Sequence, residues 1–164
     1  MFVLANPFLA LIALFVWISA GGEAMAAQLK TVIADVPVSR VMATDIRTLS
    51  PTDPLSVAIG QIRAGFQHDF PVTHDHEVTG ILTREALLKT LTEGRRDMLV
   101  SDVMQRSFIT AEADEPLEKA MARLQACHCR TLPVIRGREL AGLLTMEKIG
   151  EFVAIESASR AKKA

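Results

Sequence analysis

The chain has 164 residues, a net charge of −1 and 49% apolar residues, with few aromatics and no tyrosine. That length supports one domain of ordinary size with a real core. The near-neutral charge supplies no basic field for a nucleic-acid polymer, and the scarcity of aromatics leaves no platform for base stacking.

The apolar excess sits at the N-terminus, where residues 2–20 carry no charge. From Phe8 to Ala20 every face of a helix is apolar, so such a helix must be buried in protein or lipid. Asn6 and Pro7 suit its start, one as a cap and the other in the first turn. From Pro7 to Ala20 the rise is about 21 Å, short of a ~30 Å hydrocarbon core, and counting from Phe2 brings it to about 28 Å. Three readings stand: a membrane helix at residues 1–27, a signal peptide cleaved after Ala24-Met25-Ala26, and a helix packed on the domain or on a dimer partner. No Lys or Arg precedes the run, which counts against the signal peptide and suits a fragment of a longer reading frame. Residues 28–37 read as a linker.

An internal repeat follows at a constant offset of 62 residues without a gap. Val38-Ser-Arg-Val-Met42 returns as Val100-Ser-Asp-Val-Met104, and Thr48 as Thr110. Pro54-Leu55 returns as Pro116-Leu117, Ala58 as Ala120, Pro71-Val72 as Pro133-Val134, and Gly80-Ile-Leu-Thr83 as Gly142-Leu-Leu-Thr145. The repeats occupy residues 38–93 and 94–156, with a flexible tail at 157–164.

Each repeat reads as β-α-β-β-α. A helical turn surrounds Val41-Met42 or Val103-Met104, and a short strand is expected at residues 46–49 or 108–110. Asp53-Pro54 and Glu115-Pro116 open a helix with acid and proline in its first turn. Leu55, Ala58, Ile59 and Ile62 recur at helical spacing, as do Leu117, Met121 and Leu124. Strands at 70–73 and 78–82 flank the polar turn His74-Asp75-His76, and strands at 132–135 and 140–144 flank Arg136-Gly137-Arg138. Closing helices follow at 84–92 and 146–155. Glu85, Lys89 and Glu93, four apart, mark an exposed helix face. The crossing at residues 93–97 is charged and contains a glycine, as a surface connection should be. A unit of about 55 residues is marginal alone, so the two should bury their sheet faces on each other around a pseudo-twofold axis.

Several residues invite chemistry. Cys127-His128-Cys129 offers two thiolates and an imidazole, but no second ligand pair, so a helix-end turn is the plainer reading and no metal site is expected. The cysteines are too close for an ordinary stapling bridge, and a reducing compartment suits them. His74-Asp75-His76 reads as a solvated hairpin turn. No serine or cysteine sits in a recognisable nucleophile arrangement, and no Gly-rich phosphate loop appears.

The Val-Met starts, the acid-Pro-Leu helix openings, the Pro-Val strands and the Gly-h-h-Thr turns, each present twice in order, resemble the tandem CBS domain pair, or Bateman module. That resemblance implies an α/β (α+β) fold of two β-α-β-β-α repeats and a non-catalytic regulatory role. It further implies an adenosine-type ligand, AMP, ADP, ATP or S-adenosylmethionine, held between the repeats, and a homodimer formed by CBS pairs. Carried over residue by residue, Thr83 and Thr145 would reach phosphate, Val72 and Val134 would line an adenine slot, and Arg130 and His68 would face a phosphate. The aspartate by which the family holds a ribose diol falls at Ala86 and Lys148, neither of which accepts a hydrogen bond from a diol; Lys148 would instead pair with a phosphate in a different pose. The plainer alternative gives Thr83 and Thr145 only the work of capping the closing helices.

The stretch from Asn6-Pro7-Phe8-Leu9 to Glu23-Ala24 is similar to the last membrane segment of bacterial site-2-protease-like zinc metalloproteases that carry a CBS pair. Such enzymes need H-E-x-x-H, whereas His76-Glu77 is followed by Val78-Thr79-Gly80. This resemblance implies a regulatory tail without the catalytic core, held to the membrane through residues 2–20, with the CBS pair in the cytoplasm. Beside that sensing module stand two other readings, a purely structural dimerisation module and a fragment of a protease.

Overall fold

The computed structural model describes residues 33–65 and 67–162. The apolar N-terminal helix, with its membrane and signal-peptide readings, falls outside them. Helices α1 (Leu55–Arg63), α2 (Arg84–Thr92), α3 (Val100–Val103), α4 (Leu117–Cys127) and α5 (Met146–Ala161) alternate with strands β1 (Phe70–His74), β2 (Glu77–Leu82), β3 (Ala111–Glu112), β4 (Thr131–Arg136) and β5 (Glu139–Thr145). The strands form one sheet in the order β1-β2-β5-β4-β3. The fold is the expected α+β pair.

Local chemistry explains the elements. The β1–β2 turn places Asp75 and His76 at φ 50° and 68°, and Gly137 in the β4–β5 turn has φ 68°. Tight hairpins need this left-handed backbone to match strand twist. Both closing helices start at a threonine cap: Thr83 Oγ1 accepts from Ala86 N at 3.1 Å, and Thr145 Oγ1 from Lys148 N at 3.2 Å. Helix α5 runs past residue 155 to Ala161, through most of the stretch read as a flexible tail. After Gly150 it meets no glycine or proline, and its alanines, glutamates and arginine propagate a helix well. Asp53 does not enter the first turn of α1; its carboxylate accepts from Ser50 N at 2.8 Å.

The short strands move by a few residues. In place of strands at 46–49 and 108–110, Leu49 makes a single parallel bridge to Val72, and its repeat mate Ala111 begins β3 against Val134. Six residues earlier in each repeat, Ala43 and Gln105 pair with Leu143 and Ile81 of the opposite repeat.

Those pairings show how the two units interlace. Val38 N donates to Glu115 O, Ser39 N to Ala113 O, Ala43 N to Leu143 O, and Leu117 N to Val36 O. The same bonds recur 62 residues on: Val100 N to Asp53 O, Ser101 N to Pro51 O, Gln105 N to Ile81 O, and Leu55 N to Met98 O. This reciprocity defines the pseudo-twofold axis. Each repeat's leading arm is built into the other repeat. One core therefore gathers Ile33, Val36, Val38 and Val41 with Leu117, Leu124, Leu132, Val134 and Leu144; the other gathers Val100 and Met104 with Leu55, Phe70, Val72, Leu82 and Leu87. Ile33 and Val36, in the segment read as a linker, are buried core residues.

The exchange also explains the glycine of each Gly-h-h-Thr turn. A Cβ on Gly142 would stand 2.6 Å from Ala43 O and 2.9 Å from Met42 Sδ, and one on Gly80 would stand 2.7 Å from Met104 Sδ and 2.9 Å from Gln105 O. The glycine of one repeat makes room for the Val-Met arm of the other. Gly142→Ala is expected to lower stability by about 1–3 kcal/mol, the usual cost of overpacking a filled core. A urea melt checks this by a lower midpoint at unchanged slope.

Candidate functional site

A cleft of about 750 Å³ opens between the repeats, within the ~300–1,000 Å³ range of small-molecule sites. One side comes from the end of β2 and the start of α2, where the threonine cap turns the chain and presents Thr83, Arg84, Glu85 and Leu88. The other side comes from the segment after α3, with Gln105 and Ser107–Ile109, and from the loop Cys127–Thr131 between α4 and β4. Ile81, Leu88, Phe108 and Ile109 supply apolar surface. Arg84 and Arg130 bring two guanidinium groups and Glu85 a carboxylate, all on exposed side chains.

Asp69 anchors the cleft at the pseudo-twofold axis. It is only 7% exposed. Its Oδ1 accepts from Arg84 N at 3.0 Å and its Oδ2 from the Thr131 hydroxyl at 2.9 Å. Asp69 and Thr131 are the same position in the two repeats, so one bond joins the two sides of the cleft across the axis. A buried carboxylate is stable when hydrogen-bonded in this way, and the first N–H of α2 finds here the partner that helix geometry denies it.

At the equivalent place on the other side of the axis a side chain links the walls. Gln67 Oε1 accepts from Arg47 N at 2.9 Å, while Gln67 Nε2 donates to Arg47 O at 2.9 Å and Asp69 O at 2.8 Å. At the 62-residue offset, Arg47, Gln67 and Asp69 correspond to Ile109, Cys129 and Thr131, all of which line the open cleft. The glutamine clamps the walls on its side, and no such amide stands on the other.

Of the residues singled out from the sequence, Thr83 and Arg130 line the cleft. His68 stands outside the lining with its Nδ1 3.3 Å from Arg84 Nη1, so it touches the cleft only through that arginine. Val72 and Val134 require a correction: both are 0% exposed and lie in the two cores, because the Pro-Val strands face the helices that cover them rather than the cleft. Thr145 caps α5. Lys148 is half-exposed beside it, its Nζ 2.7 Å from Glu151 Oε2. The hydrogen bond and then the charge of Glu151 hold the Lys148 pKa above its ordinary value. Neither Thr145 nor Lys148 is in the lining. Sequence reasoning missed Asp69, Arg84, Glu85, Phe108 and Ile109. Only the adjacency of Arg84 and Glu85 to the Thr83 cap could have pointed to any of them.

The Cys127-His128-Cys129 loop is a helix-end turn, as read, but the two sulfurs are bonded to each other. That corrects the expectation of no bridge. Helix α4 ends at Cys127, and His128 adopts the left-handed conformation, φ 54° and ψ 26°, which folds the chain back and brings the Cα atoms to 5.1 Å. Among the described residues no group of three or more His, Cys, Asp or Glu is placed to hold a metal, and no helix is long and apolar enough to cross a membrane.

Residues 38–93 and 100–154 each match the family model for the CBS domain. The chain is 30% identical over 134 residues to the L-aspartate semialdehyde sulfurtransferase of Methanosarcina acetivorans, covering 80% of this chain and 27% of that one. It likewise spans about a quarter of the length of the other curated enzymes it matches first, 24% of each. Its fold resembles the CBS domain pair of protein MJ0100 in complex with 5′-methylthioadenosine and S-adenosylmethionine, with a TM-score of 0.67 and 20% identity over 74% of this chain and 98% of that one. It also resembles CBSX2 in complex with AMP, with a TM-score of 0.62 and 21% identity over 77% and 98%.

Proposed function

The chain belongs to the CBS domain family, and we propose that it is a non-catalytic regulatory module whose open cleft binds an adenosine-type ligand such as AMP, ADP, ATP or S-adenosylmethionine. The observation that carries this reading is the cleft itself: apolar surface at one place, two arginines and a threonine hydroxyl at another, and a carboxylate between the repeats. The adenine would sit against Ile81, Leu88, Phe108 and Ile109. Arg84 and Arg130 would take the phosphates, joined by the Thr83 hydroxyl, which accepts from Ala86 N and keeps its own proton to donate. Ala86 lacks the carboxylate that the family places there for a ribose diol. Glu85, one residue earlier and in the cleft lining, supplies one instead. The complexes of the MJ0100 pair and of CBSX2 with adenosine compounds support the ligand class.

Calorimetry of the full chain with AMP, ATP and S-adenosylmethionine tests the proposal. Binding should be lost when Thr83, Arg84 and Arg130, which line the cleft, are replaced together by alanine. No heat and no thermal shift with any of the three would sink it. Arg130→Ala should weaken AMP about tenfold, the equivalent of losing one charge-assisted hydrogen bond of roughly 1.5 kcal/mol, while adenosine binding changes little.

The exposed apolar side chains Met146 and Ile155 on α5 favour a homodimer through the closing helices. Sedimentation over a range of concentrations would show a monomer throughout if this were wrong. The charge-free run at residues 2–20 supports attachment to a membrane, with the pair on the cytoplasmic side as the tail of a site-2-protease-like protein. Recovery of the full chain in the soluble fraction without detergent would count against that attachment.

A further inference from the structure

We infer that Cys127 and Cys129 form a reversible thiol–disulfide latch on the wall of the open cleft, a modification site that sets the conformation of the loop carrying Arg130 and Thr131. Both cysteines are half-buried and both line the cleft. Their Cα separation of 5.1 Å lies inside the ordinary span of a disulfide. The left-handed turn at His128 is what makes a bridge possible between residues only two apart. Cys129 N donates to Cys127 Sγ at 3.2 Å, so the backbone between the sulfurs is already folded around them.

The place of the pair in the repeat gives it meaning. Cys129 stands where the other repeat has Gln67, whose amide clamps Arg47 to Asp69. A cysteine cannot reach across as an amide does. On this side the covalent bond stays within the loop and closes a short ring at the root of β4. A left-handed backbone is unfavourable for histidine, so a closed ring retains His128 there and an open one frees the loop to relax. The residues so released include Arg130, and Thr131, which donates to Asp69.

The chemistry is ordinary thiol–disulfide exchange with a small disulfide such as oxidised glutathione. One cysteine thiolate attacks a glutathione sulfur, forming a mixed disulfide and releasing one glutathione thiolate. The second cysteine thiolate attacks the protein sulfur of that mixed disulfide and expels the other glutathione thiolate. Two protein thiols become one S–S bond, two electrons pass to the oxidant, and the two protons end on the glutathione thiols.

The effect on ligand affinity rests on the cleft being a ligand site; the thiol chemistry does not. The test uses the purified full chain equilibrated with reduced or oxidised glutathione. Thiol titration and intact mass should show two thiols lost on oxidation, a monomer chain lighter by two hydrogens, and full recovery with dithiothreitol. The Kd for AMP should differ by about fivefold or more between the two forms, and not at all in a Cys127→Ser, Cys129→Ser variant. Thiols that stay titratable in oxidised glutathione, disulfide-linked dimers, or equal affinities in the two forms would overturn the latch. If neither form binds AMP, only the ligand reading fails. Amide hydrogen exchange at residues 127–131 then decides, with greater protection in the oxidised form upholding the latch and no difference refuting it.

Discussion

Removal of residues 1–43 should leave a chain whose second repeat has no cooperative unfolding transition, although every residue matched to the second CBS domain is retained. The reason is the exchange of arms. Ile33, Val36, Val38 and Val41 are at most 8% exposed, and all four pack with the second repeat's residues. Burying an aliphatic side chain contributes about 1.5–3 kcal/mol, so the arm as a whole is comparable with the ~5–15 kcal/mol that holds a domain folded. Its loss would also strip backbone partners from Leu117 N, at the start of α4, and from Leu143 in β5. A point substitution reports the same coupling at full length. Val38→Asp puts an unpaired charge at a site with no exposure, and should cost about 4 kcal/mol or more. Arg40→Ala, two residues away and exposed, should cost little. Limited proteolysis discriminates the arrangement: cleavage should appear first between residues 111 and 161, the partner unit. Loosening of residues 49–92, the arm's own repeat, would contradict it.

Asp69→Ala should be the most damaging single change at the site, at about 3 kcal/mol. Two groups lose their acceptor at once, Arg84 N at the head of α2 and the Thr131 hydroxyl across the axis. Hydrogen bonds to a charged group contribute about 1.5–3 kcal/mol each, and a buried donor left unpaired adds its own desolvation cost. For a domain of this size the melting temperature should fall by roughly 6–12 °C. Asp69→Asn keeps the shape but replaces one acceptor with an amino group. The Thr131 hydroxyl can turn to accept from it, whereas Arg84 N needs the remaining oxygen, so the loss should be about half. Differential scanning calorimetry of the three proteins orders them. An Asn variant as unstable as the Ala variant would show that the charge, rather than the acceptor count, holds the axis together. Because Asp69 lines the cleft, AMP affinity should fall with stability in the Ala variant and change less in the Asn variant.

The legible part of this protein is periodic. The 62-residue register, the helix starts at Pro54 and Pro116, the Pro-Val strands and the threonine caps all follow from local rules of turns, caps and helical spacing that repeat twice in one chain. Those rules determined the α+β class, the duplication and the closing helices. They said nothing of which arm packs on which core, since Val38 and Val100 look alike from within their own repeats and only the reciprocal bonds to Glu115 and Asp53 show the exchange. The adenine-slot role of Val72 and Val134 came from the family resemblance rather than from those rules, and both side chains lie fully buried in the two cores. The rules missed Asp69, whose role needs a partner 62 residues away, and the Cys127–Cys129 bond, which depends on one left-handed residue. The sequence by itself determined the elements and their duplication. Tertiary structure alone decided the cleft, because a site between two repeats exists only where long-range pairing brings their unlike residues together.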